Sequence, residues 1–272
     1  MDQPKPTLID NPWQALRRFT DARIAQGRSG VSAPTAAVLA FQLDHARARD
    51  AVHQGLDTAA LAATLAASGH ASVVLSSAAP NRHTYLQRPD LGRTLAPGAR
   101  AILQARPPVP GGVDLAIVIA DGLSARAVAQ GAPPLIDALL AQPAIASWSL
   151  APCVIVTGGR VAIGDDIGAL LGARALLVLI GERPGLSSPD SMGAYLTWAP
   201  RVGRSDAERN CVSNIRPAGL ACQDAAATLA YLLSQARQRG LSGVALKDES
   251  AAPAPPGATS TRNFLLMPPP DL

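Results

Sequence analysis

Short apolar runs separated by polar turns dominate the middle of the chain. The clearest covers residues 175–180, six apolar residues that end abruptly at Gly181. An unbroken run of this length is typical of a strand buried on both faces of a parallel sheet. Similar patterns predict strands over residues 72–77, 114–120, 149–157 and 193–198, and shorter ones over residues 84–86 and 244–246.

Helical spacing of apolar residues occurs between these runs. The clearest helix covers residues 224–239, where Leu229, Leu232 and Leu233 share a face and Gly240 marks the end. Further helices are predicted to begin at Asn11–Pro12 and Ala125 and to cover residues 34–53, 57–68, 134–141 and 165–171. Strands that alternate with helices imply parallel pairing through right-handed crossovers. We therefore predict an α/β fold with a Rossmann-like parallel sheet flanked by helices.

The pattern divides the chain into three regions. Residues 1–70 carry helices with thin apolar stripes, which predicts an N-terminal helical region that packs against the following domain or a partner chain. Residues 71–249 hold the alternating strands and helices of the Rossmann-like domain. Residues 250–272 are rich in proline and alanine, a composition that predicts a disordered tail.

Composition and charge indicate a folded domain and argue against a nucleic-acid-binding protein. With 272 residues, 48% of them hydrophobic, and a mean hydropathy of +0.15, the chain is long and apolar enough to fold around its own core. The net charge is +4, which raises the question of nucleic-acid binding. However, Lys5 and Lys247 are the only lysines and the arginines are scattered, so no basic patch of the usual kind is predicted.

The cysteines and the apolar runs predict a cytoplasmic protein. Cys153, Cys211 and Cys222 form no Cys-x-x-Cys pair and have no histidine at metal-ligand spacing. An odd number of cysteines fits a reducing compartment. No apolar run approaches the roughly 20 residues of a membrane span, and the first residues lack the pattern of a signal peptide.

Motifs of an independent enzyme are missing from the sequence. No Gly-x-Gly-x-x-Gly or Walker-type Gly-Lys-Ser/Thr motif follows any predicted strand, which argues against an ordinary nucleotide site. No Ser-His-Asp or Cys-His arrangement can be identified either. Asp165 and Asp166 could be interpreted as a metal site, but a negatively charged first turn of a helix explains them better.

Two turns after predicted strands carry polar residues. Glu182 and Arg183 follow the run at 175–180, where open α/β sheets place ligand contacts. From these residues alone, a ligand contact and a solvated turn are equally open. Asp121 and Ser124 follow the run at 114–120, and a helix cap is the better interpretation of Ser124.

Several segments together resemble the small (light) subunit of ethanolamine ammonia-lyase, over about residues 11–248. They are GERPGLSSPDSMGAYLTW (181–198), DAERNCVSNIRPAG (206–219), RPDLGR (88–93), DGLSA (121–125) and LSGVALKD (241–248). The resemblance implies a hetero-oligomer with a large TIM-barrel subunit that holds the substrate. It implies conversion of ethanolamine to acetaldehyde and ammonia through a deoxyadenosyl radical from adenosylcobalamin. Family members often work inside bacterial microcompartments.

The resemblance also assigns cobalamin contacts residue by residue. Val161 would lie along the corrin with its extended backbone, and Glu182 would accept hydrogen bonds from amide side chains of the cofactor. Cys211 would make a packing or weakly polar contact, and a small buried hydrophobe is a better interpretation of it than a redox or nucleophilic group.

By extension, we expect the turn after the run at 114–120 to line the same crevice, through Asp121, Gly122 and Ser124. No catalytic residue and no metal ligand is predicted in this chain.

The mode of cobalamin binding is implied in the same way. The Asp-x-His-x-x-Gly motif of several cobalamin-dependent mutases does not occur around any of the four histidines, His45, His53, His70 and His83. The resemblance therefore implies base-on binding, with the benzimidazole of the cofactor below cobalt and no protein ligand. His45 and His53 lie on a charged predicted helix, where we expect them to be solvated.

Two other functions stay open at this point. The chain could be a structural clamp on the large subunit that touches cobalamin incidentally. It could also be a nucleotide- or nucleic-acid-binding Rossmann-like domain, which the scattered arginines disfavour. Replacement of Glu182 separates the first alternative from a cofactor-binding subunit, and a salt-dependent DNA-binding assay tests the second.

Overall fold

The computed structural model describes residues 8–107 and 109–250. The strands are β1 (Leu8–Ile9), β2 (Arg28–Ser29), β3 (Ser72–Ser76), β4 (Val113–Ala120), β5 (Cys153–Thr157), β6 (Ala173–Gly181), β7 (Met192–Trp198) and β8 (Arg209–Ile215). The helices are α1 (Thr35–His53), α2 (Thr58–Ala67), α3 (Arg82–Gln87), α4 (Pro97–Gln104), α5 (Ala125–Leu140), α6 (Ile163–Leu170) and α7 (Cys222–Arg239). Short 3₁₀ helices cover Pro12–Phe19, Leu91–Arg93, Asp206–Glu208 and Gly243–Ala245.

Six strands form one mixed sheet in the order β3-β5-β4-β6-β7-β8. The first four are parallel, as predicted, but β7 and β8 are antiparallel to their neighbours. The fully parallel sheet of the prediction is therefore wrong for this side. The reason lies in the connections: residues 182–191 contain no helix, and a parallel crossover needs a dozen or more residues, usually including one.

Helices cover both faces of the parallel strands. One face packs against α2, α5 and α7 through fully buried side chains such as Leu115 and Leu177. The other face packs against α4 and α6 through Val118 and Val178. Burying each such side chain contributes roughly 1.5–3 kcal/mol, so the apolar runs that predicted the strands also supply the core.

The strand register brings the functional turns to one edge. Ala120 of β4 is level with Val156 of β5 and Ile180 of β6, and Gly181 is level with Met192 at the start of β7. The carboxyl ends of β4, β5 and β6 therefore lie side by side. We call this the carboxyl edge of the sheet.

Three predicted elements differ from the structure. Residues 84–86 belong to α3, which Asn81 caps by accepting the Thr84 N–H at 2.9 Å, and not to a strand. Residues 134–141 do not begin a new helix, because α5 continues through Pro133 and Pro134. Prolines remove the N–H groups that would pair with the carbonyls of residues 129 and 130, and those exposed residues can bond to water instead. Residues 244–246 do not form a strand, because the first two belong to the 3₁₀ helix Gly243–Ala245 and the φ of Gly243 is +86°.

The N-terminal segment carries less of the core. The predicted start at Asn11–Pro12 is confirmed, since the Asn11 side chain accepts the Trp13 N–H at 2.9 Å, but the helix is 3₁₀ and buries no residue. In α1 only Ala51 is buried, and Phe41 is among the exposed side chains. By contrast, α2 contributes Leu61 and Leu65 to the core beneath α5. Apart from Ser250, the predicted tail lies outside the described residues.

Candidate functional site

Asp121, at the end of β4, ties neighbouring elements together. It is 3% exposed, and its Oδ1 accepts the N–H groups of Gly158 at 2.8 Å and Gly159 at 3.2 Å. Its Oδ2 accepts Arg82 Nη1 at 3.0 Å. Burial raises the pKa of Asp121, and the Arg82 charge and the two N–H groups oppose that shift. The carboxylate thus fastens β4 to β5 and α3.

Gly122 lets two turns approach closely. Its φ is +53°, and a Cβ built on it would lie 2.3 Å from the carbonyl oxygen of Gly181. The Leu123 N–H donates to the same carbonyl at 2.9 Å. Glycine is required here by both backbone conformation and space, and it brings the ends of β4 and β6 together.

Ser124 caps α5. Its hydroxyl accepts the Ala127 N–H at 3.2 Å and donates to the Pro189 carbonyl at 2.8 Å, and the residue is fully buried. The interpretation of Ser124 as a helix cap is confirmed. The second bond holds the loop after β6 against the start of α5, so Ser124 shapes the site from beneath its surface.

Glu182 follows β6 and is partly buried. Its carboxylate accepts the Ser191 hydroxyl at 2.5 Å and the Asn214 N–H at 3.3 Å. A Cβ on Gly193 would lie 2.9 Å from Oε1, so the absence of a side chain there makes room for the carboxylate. These contacts fix Glu182 over the β7–β8 hairpin with its charge at the carboxyl edge.

A cleft of about 430 Å³ opens beside Glu182. Of the residues predicted from the sequence, Gly122, Val161 and Glu182 line it. The extended backbone expected at Val161 is wrong, because this residue lies in the turn before α6 and its carbonyl accepts an N–H group of that helix at 3.1 Å. Asp121 and Ser124 lie behind its wall, and their side chains bond to other protein groups. The structure therefore brings the three turns together but divides their residues between cleft surface and support.

Cys211 lies next to this cleft. It is exposed on the edge strand β8 and pairs with Tyr195 of β7, which lines the cleft. The interpretation of Cys211 as a buried hydrophobe is wrong, because on this face the helices do not extend over β8. Desolvation raises the pKa of its thiol, the Tyr195 hydroxyl opposes that shift and the Glu182 charge adds to it. Burial, followed by the Cys211 contact, raises the pKa of Tyr195.

Two further cleft residues, Arg160 and Tyr195, are not predicted from the sequence. Arg160 follows Gly158 and Gly159 at the end of β5, and its guanidinium lies 4.6 Å from the centre of the buried Tyr85 ring. Its position after a buried strand and two glycines is the signal that could have found it. Tyr195 offers no such signal, because its role depends on the antiparallel pairing of β7.

The two acidic residues in α6 form ion pairs. Asp165 accepts both Nη atoms of Arg209, at 2.7 and 2.6 Å, and the pair is nearly fully buried. Asp166 accepts Arg100 Nη2 at 2.5 Å. The predicted charged first turn is confirmed. Within residues 8–107 and 109–250, no group of three or more histidine, cysteine or acidic side chains could hold a metal ion.

A comparison with protein families decides where this chain belongs. A model of the family described as ethanolamine ammonia-lyase light chain (EutC) matches residues 10–247. The chain belongs to this family. The resemblance found in the sequence segments is thereby confirmed, and the match covers β2 to β8.

Similar proteins cover the same span at high identity. The ethanolamine ammonia-lyase small subunit of Ralstonia nicotianae is 56% identical over 266 residues, which is 97% of this chain and 98% of the relative. That of Azotobacter vinelandii is 57% identical over 259 residues, 94% of this chain and 96% of the relative. That of Pseudomonas putida is 54% identical over 270 residues, 98% of this chain and 99% of the relative. In the described part of this chain, every helix is too short or too polar to cross a membrane.

Proposed function

We propose that this chain is the small subunit of an adenosylcobalamin-dependent ethanolamine ammonia-lyase and forms part of the cobalamin site. With its large subunit it converts ethanolamine to acetaldehyde and ammonia. Family membership over residues 10–247 supports the assignment to this lyase. The observation that carries the cofactor role is that Gly122, Val161 and Glu182, from three separate turns, line one cleft at the carboxyl edge.

The residues at the cleft fit one side of a cobalamin. Cobalamin is larger than the cleft, so this chain holds a part of it and the large subunit covers the rest. Glu182 accepts hydrogen bonds from the amide side chains of the corrin, and the backbone at Val161 lies along the ring. Cys211 and Tyr195 extend the contact surface over β7 and β8. Asp121 and Ser124 position the turns from behind.

The chemistry belongs to the cofactor and the partner subunit. Adenosylcobalamin, when bound, supplies radical chemistry through homolysis of its cobalt–carbon bond. This chain binds and orients it, and the large TIM-barrel subunit binds ethanolamine. Base-on binding, which the family resemblance implies, would require no ligand to cobalt from this chain. The Arg160 donors, which are unpaired among the described residues, and the Glu182 acceptor at the cleft support a role in orientation.

The domain organisation proposed from the sequence completes this assignment. Residues 71–249 form the Rossmann-like cobalamin-binding domain, a proposal supported by four parallel strands with helices on both faces. Residues 1–70 form the helical region, and residues 250–272 the tail. The exposed apolar side chains of α1 support its contact with the large subunit. We propose that the chain is part of a hetero-oligomer in the cytoplasm. This location includes the interior of a bacterial microcompartment.

Reconstitution tests the proposed function. The chain is purified alone and with its large subunit, adenosylcobalamin is added, and the visible spectrum is followed together with acetaldehyde release. We expect turnover only in the mixture, with the spectrum of base-on cofactor. Full turnover by the large subunit alone would reduce this chain to a structural clamp.

Replacement of Glu182 tests the site within that assembly. We expect Glu182→Ala to weaken adenosylcobalamin binding roughly tenfold, because one hydrogen-bond acceptor at a charged group is lost. The complex itself should still assemble, which size-exclusion chromatography measures. The control is Asp90→Ala, which removes an exposed carboxylate paired with Arg88. Unchanged affinity in Glu182→Ala would favour the clamp.

A further inference from the structure

Arg160 reaches the cleft with its hydrogen-bonding groups unused. Within the described residues its guanidinium makes no hydrogen bond or ion pair, and its Nε is buried without a partner. Arginine carries five N–H donors, and buried donors are normally paired. Arg82 Nη2 and Arg209 Nε are also buried without a partner, but the other nitrogens of those two side chains are bonded. Arg160 differs because its whole guanidinium is available to an acceptor from outside the chain.

The surrounding protein holds this side chain in place without satisfying it. The guanidinium stacks on Tyr85, whose hydroxyl donates to the Gly159 carbonyl at 3.0 Å. The backbone N–H of Arg160 donates to the Gly92 carbonyl at 2.8 Å. A Cβ on Gly92 would lie 2.9 Å from Arg160 Cγ, so the absence of a side chain there makes room for Arg160. A stacked arginine loses little further freedom when it binds a ligand.

A second arginine against the same ring makes the contrast clear. Arg82 lies 5.2 Å from the centre of the Tyr85 ring and bonds to the Val52 carbonyl, the Asp121 carboxylate and the Gly122 carbonyl. Both cations therefore stack on one tyrosine, but Arg82 is used to hold the fold. Arg160 has the geometry of a binding group.

The charge balance of the cleft calls for an anion. Arg160 and Arg183 both line it, and Arg183 likewise has no hydrogen-bond or ion-pair partner among the described residues. The carboxylate of the cleft, Glu182, already accepts Ser191 and Asn214. A partly buried cation that lacks a counter-charge is costly, and the planar guanidinium matches phosphate oxygens in pairs.

We propose that Arg160 binds the phosphodiester of the nucleotide loop of cobalamin. This inference rests on the proposed function and names the part of the cofactor that the cleft recognises. The phosphodiester is the anionic group of cobalamin, whereas the corrin side chains are neutral amides. Arg160 thereby selects cofactors that carry the nucleotide loop and fixes the position of that loop against the small subunit.

The test compares three ligands on the assembled two-subunit enzyme. Adenosylcobalamin carries the phosphodiester and the base, adenosylcobinamide methyl phosphate carries the phosphodiester without the base, and adenosylcobinamide lacks both. Dissociation constants are measured by equilibrium dialysis, independently of turnover. We expect Arg160→Gln to weaken the first two ligands roughly 10- to 100-fold, since charge-assisted bonds are lost, and to change the third less than about threefold.

Controls keep the outcomes separate. Arg106→Gln removes an exposed arginine beyond α4, near the opposite edge of the sheet, and should change no ligand. Arg160→Lys keeps the charge without the planar fork and should fall between wild type and Arg160→Gln. An equal loss for all three ligands, or no loss for any, would overturn the proposal. Failure of the wild-type complex to bind adenosylcobalamin would instead overturn the proposed function.

Discussion

Two parts of the carboxyl edge use similar residues differently. In the part behind the cleft, the Asp121 carboxylate is 3% exposed and all its bonds go to Gly158, Gly159 and Arg82. In the part that lines the cleft, Glu182 is only partly buried and the Arg160 guanidinium has no hydrogen-bond or ion-pair partner among the described residues. A charge at the end of a parallel strand can thus serve folding or binding, and the distribution of its hydrogen bonds tells which.

The sheet itself produces this difference. Asp121 follows a strand with parallel neighbours on both sides, so loops from β5 and α3 reach it. Glu182 follows the last parallel strand, next to the antiparallel hairpin of β7 and β8. The hairpin brings Asn214 and Ser191 to one side of Glu182 and leaves the face at Cys211 uncovered.

Removal of the Asp121 carboxylate should have the largest effect. We expect Asp121→Ala to lower the free energy of unfolding by roughly 3–5 kcal/mol, because it leaves the buried Arg82 charge unpaired. Asp121→Asn keeps the acceptor for Gly158 and Gly159 and should cost less. Urea denaturation of the chain followed by circular dichroism measures both.

An exposed pair provides the matched control. Asp90 accepts two bonds from Arg88, at 2.9 and 2.6 Å, and both side chains are more than half exposed. Asp90→Ala should leave the unfolding transition nearly unchanged because water replaces the lost partner. Equal costs for Asp121→Ala and Asp90→Ala would contradict the assignment of Asp121 to the fold.

Gly122→Ala should have the next largest effect on the free energy of unfolding, because it forces apart the turns that follow β4 and β6. We expect a loss of at least about 2 kcal/mol, since φ is +53° and the new Cβ would meet the Gly181 carbonyl at 2.3 Å. Gly69→Ala is the control, because Gly69 also has a positive φ, +83°, but nothing within 4 Å of a Cβ. A similar loss in both variants would mean that the contact with Gly181 does not matter.

Much of the fold could be predicted because strands buried on both faces consist of consecutive apolar residues, which are visible in the sequence. The runs at 114–120 and 175–180 became β4 and β6, and the spacing of Leu229, Leu232 and Leu233 placed α7. The direction of β7 could not be predicted, because one strand's apolar pattern is the same in parallel and antiparallel pairing. The strand β8 was missed because an edge strand buries one face, here through Val212 and Ile215.

The site was predictable only as a set of turns. The position after a buried strand pointed to Asp121, Gly122 and Glu182, and the resemblance added Val161 and Cys211. Which of these face the cleft depends on long-range contacts, such as the bond from Arg82 to Asp121 across 39 positions of the chain. No local pattern encodes that bond, so Asp121 could not be separated from Glu182 before the structure.

The smallest predicted effect concerns the thiols. Cys211 is exposed, whereas burial raises the pKa of Cys153 to about 11, so iodoacetamide should modify Cys211 first. The variant Glu182→Gln tests the effect of the neighbouring carboxylate on Cys211. The Glu182 charge raises the pKa of the Cys211 thiol, and the substitution removes that charge. The thiolate fraction should then rise and the pH–rate profile shift to lower pH, with labelling at pH 8 roughly two- to threefold faster. Cys222, a partly buried thiol on α7, should keep its rate, as mass spectrometry of the modified peptides can show. An unchanged pH–rate profile at Cys211 would mean that the Glu182 charge does not affect this thiol. The strand β8 would then not belong to the part of the carboxyl edge that lines the cleft.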